Sequence, residues 1–492
     1  MMKHGKRAAI IGAGLGGIAV ALRLAARGWA VDVYEQNHAP GGKMNRWTTN
    51  GFRFDTGPSL ITMPHIFEEL FQAADLRLAD YLELQQMVGL TDYHFDDGAR
   101  FSHSSQLPDW LSTVRRLEEG DDTGFLNFMA LGARLFKVSE AAFFRKPPFG
   151  RPKLADLRNM RDLPLRFGWG NYNRTICHFF RSPYLRRMFN RYATYVGSSP
   201  YHAPATLTVI PYIEQAFGGW HVGGGLYRLV EVLCEQAAQF GVEFHTDCRV
   251  EAITQHAGRA TGVALAHGPA IEADAVIMNG DASMAPVLLG RDGAVPLAER
   301  DRSLSGLVFL YALKRSLPDQ PHHQVFFSAD YRTEFQQLFA ERRFPDDPTV
   351  YVNMPSRSDR SMVPGEGEVL FIMANAPASD RDTWDEPMIE NARQRVLARL
   401  RKSGFPEFES QVAAATVWTP KRIAHQYGMP GGAIYGQASH GWRGAFLRPP
   451  NKDRHTAGLY YVGGSTHPGG GTPTVLMSAE ITSKLILDYE MA

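Results

Sequence analysis

Apolar positions run together from Ala8 to Ile11, stop at glycines, recur every three to four residues to about Gly28, and run together again up to Glu35. That change of period predicts a strand, a tight turn, a helix and a second strand. From Pro64 the helical period dominates, in HIFEELFQAA, Pro108 to Leu117 and Gly124 to Phe144, and predicts a mostly helical insertion. A further helix is predicted from Leu226 to Phe240, with Leu229, Val232 and Leu233 on one side. Alternation then takes over from Gly241 to Met278, in VEFHT, RVEAITQ, ATGVALA and AIEADAVIM, and predicts strands. LSGLVFLYALK and VLFIMANAP continue the strand pattern, Met388 to Lys402 reads as a helix, and Thr416 to Gly444 as long loops. A strand from Leu459 to Val462, a run of glycines and a helix from about Thr474 close the chain.

Strands alternating with helices give an α/β class, and the interrupted order predicts a first domain assembled from several chain segments. At 492 residues, 44% hydrophobic and 21% charged, the chain has the composition of a folded globular protein. Arg23 and Arg27 interrupt the best apolar window, so no transmembrane helix is predicted. Lys3 to Arg7 followed by apolar residues has the outline of a signal peptide, but the glycine turn accounts for that apolar stretch better. Cys177, Cys234 and Cys248 are scattered and odd in number, which fits a reducing cytoplasm and neither a disulfide framework nor a metal cluster.

The net charge of +1 hides a local excess. Arg145 to Arg191 holds twelve Lys or Arg against Asp156 and Asp162, interleaved with aromatics such as Phe149, Trp169 and Tyr184. No nucleic-acid motif accompanies the block. It suits either contact with an anionic membrane surface or a solvated face.

Gly12, Gly14 and Gly17 have G-x-G-x-x-G spacing between the predicted strand and helix, with an acid, Glu35, eighteen residues past Gly17. This is a dinucleotide-binding pattern: glycine permits the turn and the close approach of a pyrophosphate, the helix start attracts phosphate, and the acid accepts ribose hydroxyls. A second glycine pair, Gly41-Gly42, precedes Lys43 and suggests another loop against a larger dinucleotide. Near the other end, YVGGSTHPGGGTPT leads into the last helix and offers a second partially positive helix terminus. A flavin nucleotide, with phosphates at one end and an electron-rich ring at the other, suits two such ends.

The stretches GAGLGGIAVALRLAARGWAVDVYEQNHAPGGKMNRWTTNGFRFDTGPSLITMP and YYVGGSTHPGGGTPTVLMSA resemble the paired signatures of the bacterial-type phytoene desaturases, or carotenoid desaturases, in the flavin amine oxidase-like superfamily. The resemblance implies an FAD-binding Rossmann-like domain of the glutathione reductase and amine oxidase type, built from residues 1–75, 221–300 and 446–492. Residues 301–445 would form an inserted mixed-sheet substrate domain, and 76–220 a helical, membrane-facing substrate region.

It further implies that Gly12, Ala13, Gly14 and Gly17 meet the FAD pyrophosphate and Glu35 the ribose, with Gly42 and Lys43 near the phosphates. Gly57, Pro58 and Ser59 would lie near the flavin ring and Val250 at the adenine. Gly464 and Ser465 would meet the ribityl or phosphate region, and Thr474 and Val475 the pyrimidine edge. Many members carry Arg where this chain has Lys43, which removes a bidentate phosphate contact.

The implied activity is FAD-dependent introduction of C=C bonds into a carotenoid, a membrane-dissolved polyisoprenoid, by hydride transfer to flavin N5. A quinone or O2 would reoxidise the flavin. An enzyme without a membrane span would then work in the cytoplasm, peripherally associated with the membrane, with the basic aromatic block as its docking face. His467 is the weak candidate for a catalytic group, and His221 a weaker one. Ser465-Thr466-His467-Pro468 also resembles subfamilies acting on hydroxylated carotenoids or terminal methyl groups, so a related carotenoid oxidase or isomerase is the alternative. A lipid or prenyl carrier without chemistry, like the Rab GDP dissociation inhibitors, is disfavoured by flavin motifs at both ends.

Overall fold

Five parallel strands carry the glycine turn, in the spatial order Leu459–Tyr461, Ala275–Met278, Arg7–Ile11, Ala30–Tyr34 and Glu243–His245. The computed structural model describes residues 5–148, 167, 170–381 and 383–490. The central strand is buried from Ala8 to Ile11 because its apolar side chains meet a layer on each face. Helices Leu15–Ala25, Tyr227–Gln239 and Thr472–Glu490 pack into one layer. An antiparallel sheet of Val250–His256, Arg259–Leu265 and Ile271–Glu272 packs with the other. Parallel pairing brings the loops after Ile11, Tyr34, Met278 and Tyr461 to one edge, where ligands of open α/β sheets bind.

A second sheet has seven strands, ordered Val412–Trp418, Ser305–Leu313, Glu368–Ala376, Val350–Asn353, His323–Phe326, Gly89–His94 and Arg100–Ser104. Helix Glu386–Lys402 packs with Leu307, Phe309 and Ile372 on one face. On the other, Val308, Leu310 and Phe371 meet Phe52 and Phe54, while Tyr93 and Val325 continue into an aromatic helical cluster.

Two stretches differ from the pattern reading. Gly89–His94 and Arg100–Ser104 are strands within the segment read as mostly helical; their buried positions include Thr91 and His103, so the alternation is not an apolar one. Within the stretch read as loops lie the end of edge strand Val412–Trp418, whose small alanines give no apolar run, and helix Pro420–Tyr427. The last helix starts at Thr472.

Several members of the basic block are spoken for. Arg145 bonds Glu480 at 2.9 Å and Glu69, and Arg187 pairs with Asp96 at 3.0 Å. Arg191 turns inward against Tyr195 and Tyr351. Arg151, Lys153, Arg158, Arg161 and Arg166, with Phe149 and Trp169, lie outside the described residues. Among the described residues, no helix is long and apolar enough to cross a membrane.

Candidate functional site

The first loop is built by close approach. Gly12 has a left-handed φ of +97°, and its N–H donates to the Tyr34 carbonyl at 2.8 Å. A Cβ on Gly17 would fall 2.4 Å from the Gly12 carbonyl oxygen, so the helix rests directly on the turn. That helix begins without a side-chain cap and without an acid in its first turn, which leaves its terminus open to an anion. Glu35 is buried beside it: Ala13 N–H donates to Oε2 at 2.8 Å, and Asn37 donates to Oε1 through its backbone N–H at 3.0 Å and its amide at 2.6 Å. Val250 shares a buried cluster with Tyr34, and Cys248 N–H donates to the Glu35 carbonyl at 2.8 Å.

The second loop stacks on the first. Gly41 N–H donates to the Ala13 carbonyl at 2.7 Å, and a Cβ on Gly42 would lie 3.1 Å from Gly14 Cα. Gly57 then closes on Lys43, where a Cβ would stand 1.8 Å from the Lys43 carbonyl oxygen. Pro58 and Ser59 follow with accessible surface, and the Ser59 hydroxyl bonds the Tyr351 hydroxyl at 2.7 Å.

The C-terminal loop arrives from the other side. The Gly464 carbonyl accepts from Arg448 at 3.3 Å, and Ser465 Oγ accepts from Ala282 N–H at 2.9 Å. Thr474 Oγ1 donates to the Gly471 carbonyl at 2.9 Å, and Val475 packs against Gly16, where a Cβ would meet it at 3.2 Å. The Tyr435 ring lies against Gly470 just ahead of the helix.

Asn279 joins these loops and was not singled out by any motif. Its Nδ2 donates to the Gly12 carbonyl at 2.9 Å, and a Cβ on Gly14, Gly16 or Gly463 would meet its side chain at 2.9, 2.7 or 3.2 Å. The signal in the sequence is only an asparagine straight after the buried strand Ala275–Met278.

His467 is buried, with Nε2 shared between the Phe143 and Lys146 carbonyls at 2.8 and 2.9 Å and its ring edge-on to Phe143. Both acceptors are carbonyls, so Nε2 carries the proton, and Nδ1 has no partner among the described residues. Burial lowers its pKa, opposed by the two carbonyls. This geometry positions the loop. His221 is also buried, 3.6 Å from Asp359.

The family model of the flavin containing amine oxidoreductases matches residues 15–487. The chain belongs to that family. A 4,4'-diapolycopene oxygenase from Methylomonas sp is 33% identical over 99% of this chain and 99% of its own. A zeta-carotene-forming phytoene desaturase from Myxococcus xanthus is 33% identical over 99% of this chain and 95% of its own. An oxidoreductase of known structure from Methanosarcina mazei shares the fold, with a TM-score of 0.65 and 15% identity over 98% of this chain and 100% of that one.

The family's flavin fits the charge of the loop junction. Lys43 and Arg448 lie deep in the protein, Arg448 buried and Lys43 half-buried. Burial pulls Lys43 down to about 8, with Asp281 opposing and Arg448 adding repulsion; burial pulls Arg448 down to about 10, again against Asp281. Lys43 Nζ donates to the Ile434 carbonyl, and Arg448 to the carbonyls of Tyr435, Gly464 and Gln437 and to Ser439 Oγ, all neutral acceptors. Asp281 is the buried carboxylate that acts on both cations, and its Oδ2 has no hydrogen-bond partner among the described residues. Two cations acting with one carboxylate leave an excess of positive charge, which suits an anionic group such as a pyrophosphate.

Proposed function

We propose that this amine oxidoreductase family member is an FAD-dependent carotenoid desaturase. The observation that carries the proposal is the convergence of both terminal glycine loops around Lys43 and Arg448. The full-length relatives supply the substrate class, linear carotenoids. Residues 1–75, 221–300 and 446–492 would hold the cofactor, and the seven-stranded sheet with its helical cluster the polyene.

In this reading Gly12, Ala13, Gly14, Gly17, Gly42 and Lys43 receive the pyrophosphate, and the preorganised Glu35 carboxylate the ribose, with Val250 at the adenine. Gly57 to Ser59, Gly464, Ser465, Thr474 and Val475 border the ring and its linker. Bound FAD supplies the hydride acceptor. The chain contributes orientation of the polyene and exclusion of water. The N-terminus of Thr472–Glu490, free of acids in its first turn, favours negative charge beside it. A quinone or O2 completes the cycle as electron acceptor.

The test is purified holoenzyme incubated with phytoene or with lycopene-type polyenes and either acceptor, followed by chromatography of the products. A product lengthened in conjugation is expected. Oxygenated product without added double bonds would instead support the oxidase reading, which the Methylomonas relative favours.

We also propose that the polyene is drawn from a bilayer by peripheral contact through residues 145–191. Arg145 and Arg191, committed to internal partners, take no part in it. Co-sedimentation with anionic vesicles is expected to fall when Arg151, Arg158 and Arg161 are reversed to glutamate in protein that still loads FAD. Unchanged binding in that variant would sink the idea.

A further inference from the structure

Helix Tyr227–Gln239 has no acid in its first turn, and Leu226 ahead of it supplies no side-chain cap. The cap comes from a distant segment. Asp55 Oδ2 accepts from Leu226 N–H at 2.8 Å, and Oδ1 from Tyr227 N–H at 3.0 Å. The turn before the helix makes room for this carboxylate: Gly225 has a left-handed φ of +94°, and a Cβ there would stand 3.0 Å from Asp55 Oδ2. Asp359, from the segment after strand Val350–Asn353, accepts from Gly224 N–H on the same turn at 2.6 Å.

Asp55 ends strand Phe52–Asp55 and leads directly into Thr56 and Gly57. Thr56 N–H donates to the Asn45 carbonyl at 2.8 Å, and Gly57 closes on Lys43. At the other end of that loop the Tyr227 hydroxyl donates to the Pro40 carbonyl at 3.0 Å, and a Cβ on Gly41 would lie 3.0 Å from the Tyr227 ring. The contacts close a ring. Asp55 holds the helix start, Tyr227 on that start holds Pro40, residues 40–45 run on to Thr56, and Thr56 follows Asp55 in the chain.

A carboxylate that receives two backbone N–H groups at a helix start binds them more strongly than a neutral acceptor would, because its charge also meets the positive end of the helix dipole. Truncating it frees both N–H groups and opens the ring at the point where the loops of Lys43 and Gly57 are tied together. We infer that Asp55 is a positioning residue for the flavin nucleotide, acting through Tyr227 to hold the Lys43 loop and the Gly57 to Ser59 loop at a fixed separation. The inference rests on the cofactor placement proposed above and goes beyond it by assigning that separation to one carboxylate and one helix start. The competing account is a carboxylate that stabilises the helix and nothing more.

The experiment titrates deflavinated protein with FAD by flavin fluorescence and records the visible circular dichroism of the bound flavin at saturation. Asp55→Ala is expected to weaken FAD binding about tenfold and to change the dichroism of the flavin that still binds. Asp55→Asn, which keeps a carbonyl acceptor, is expected to return to within about threefold of the wild type. Tyr227→Phe, which removes only the hydroxyl on Pro40, is expected to change the dichroism in the same sense. Combined with Asp55→Ala it is expected to add no more than about twofold, because both substitutions cut one ring. Asp121→Ala is the comparison: Asp121 is another buried carboxylate on backbone N–H groups, those of Arg181 and Ser182 at 2.8 and 2.9 Å. Its loss is expected to lower the melting temperature and leave FAD affinity and dichroism unchanged. A lower melting temperature in Asp55→Ala with wild-type affinity and dichroism, or additive losses in the double variant, would overturn the inference and leave the cofactor placement intact. If Asp55→Ala does not fold, Asp55→Asn and Tyr227→Phe decide by the same two readouts. Wild-type protein that takes up no FAD would overturn both.

Discussion

Lys43→Met is expected to weaken FAD binding about 100-fold, the roughly 2.7 kcal/mol that a hydrogen-bonded, buried charge contributes to an anion. Methionine keeps the length and apolar stem and removes only the ammonium, so the fold is retained. What is lost is one of the two cations facing Asp281 at the junction of the loops. Lys43→Arg is the control: it retains charge and adds a fork for phosphate, and its affinity is expected to stay within about threefold of the wild type. Flavin fluorescence during titration of the deflavinated protein measures all three.

The same lysine sets a pH dependence. Burial lowers the Lys43 ammonium to about 8 before the anion arrives, so above that pH cofactor binding must take up a proton. The affinity of the wild type is therefore expected to be flat below about pH 8 and to fall about tenfold per unit above it, until the pKa of the bound state is reached. Lys43→Arg is expected to remove that slope over the same range. A slope that persists in Lys43→Arg would assign the titration to another group.

The residues just discussed mark how far the sequence can be read. The turn at Gly12, the helix after it and Glu35 are contiguous, and each follows from a local rule of period, turn or charge. Lys43 is legible for the same reason, standing next to a glycine pair a few residues on. Arg448 is not, because it sits in a loop of prolines and becomes a partner of Lys43 only through folding. Asn279 is similarly silent: its role is to fill the gap among glycines from both ends of the chain. Tyr351 and His323 lie on four-residue strands whose pairing is entirely non-local. Arg191 is the sharpest case. Among twelve basic residues it reads as surface charge, and only the packing of Tyr195 and Tyr351 beneath it shows an interior group.

Gly57→Ala is the second large effect expected, and it acts through backbone rather than charge. The added methyl would stand 1.8 Å from the Lys43 carbonyl oxygen and 2.9 Å from its carbonyl carbon, and neither can rotate away. The two segments must separate by more than an ångström to restore normal contact. That displaces the peptide that carries the Lys43 side chain and the loop that carries Ser59. Overpacking of this kind costs about 1–3 kcal/mol, and the segment moved is one wall of the cofactor junction. Protein purified as Gly57→Ala is therefore expected to melt several degrees lower than the wild type and to retain under about a tenth of its bound flavin. Gly89→Ala is the comparison, since nothing lies within 4 Å of a Cβ there. Its flavin content and melting temperature are expected to match the wild type, and equal losses in the two variants would mean that the contact between Gly57 and Lys43 does not hold the site together.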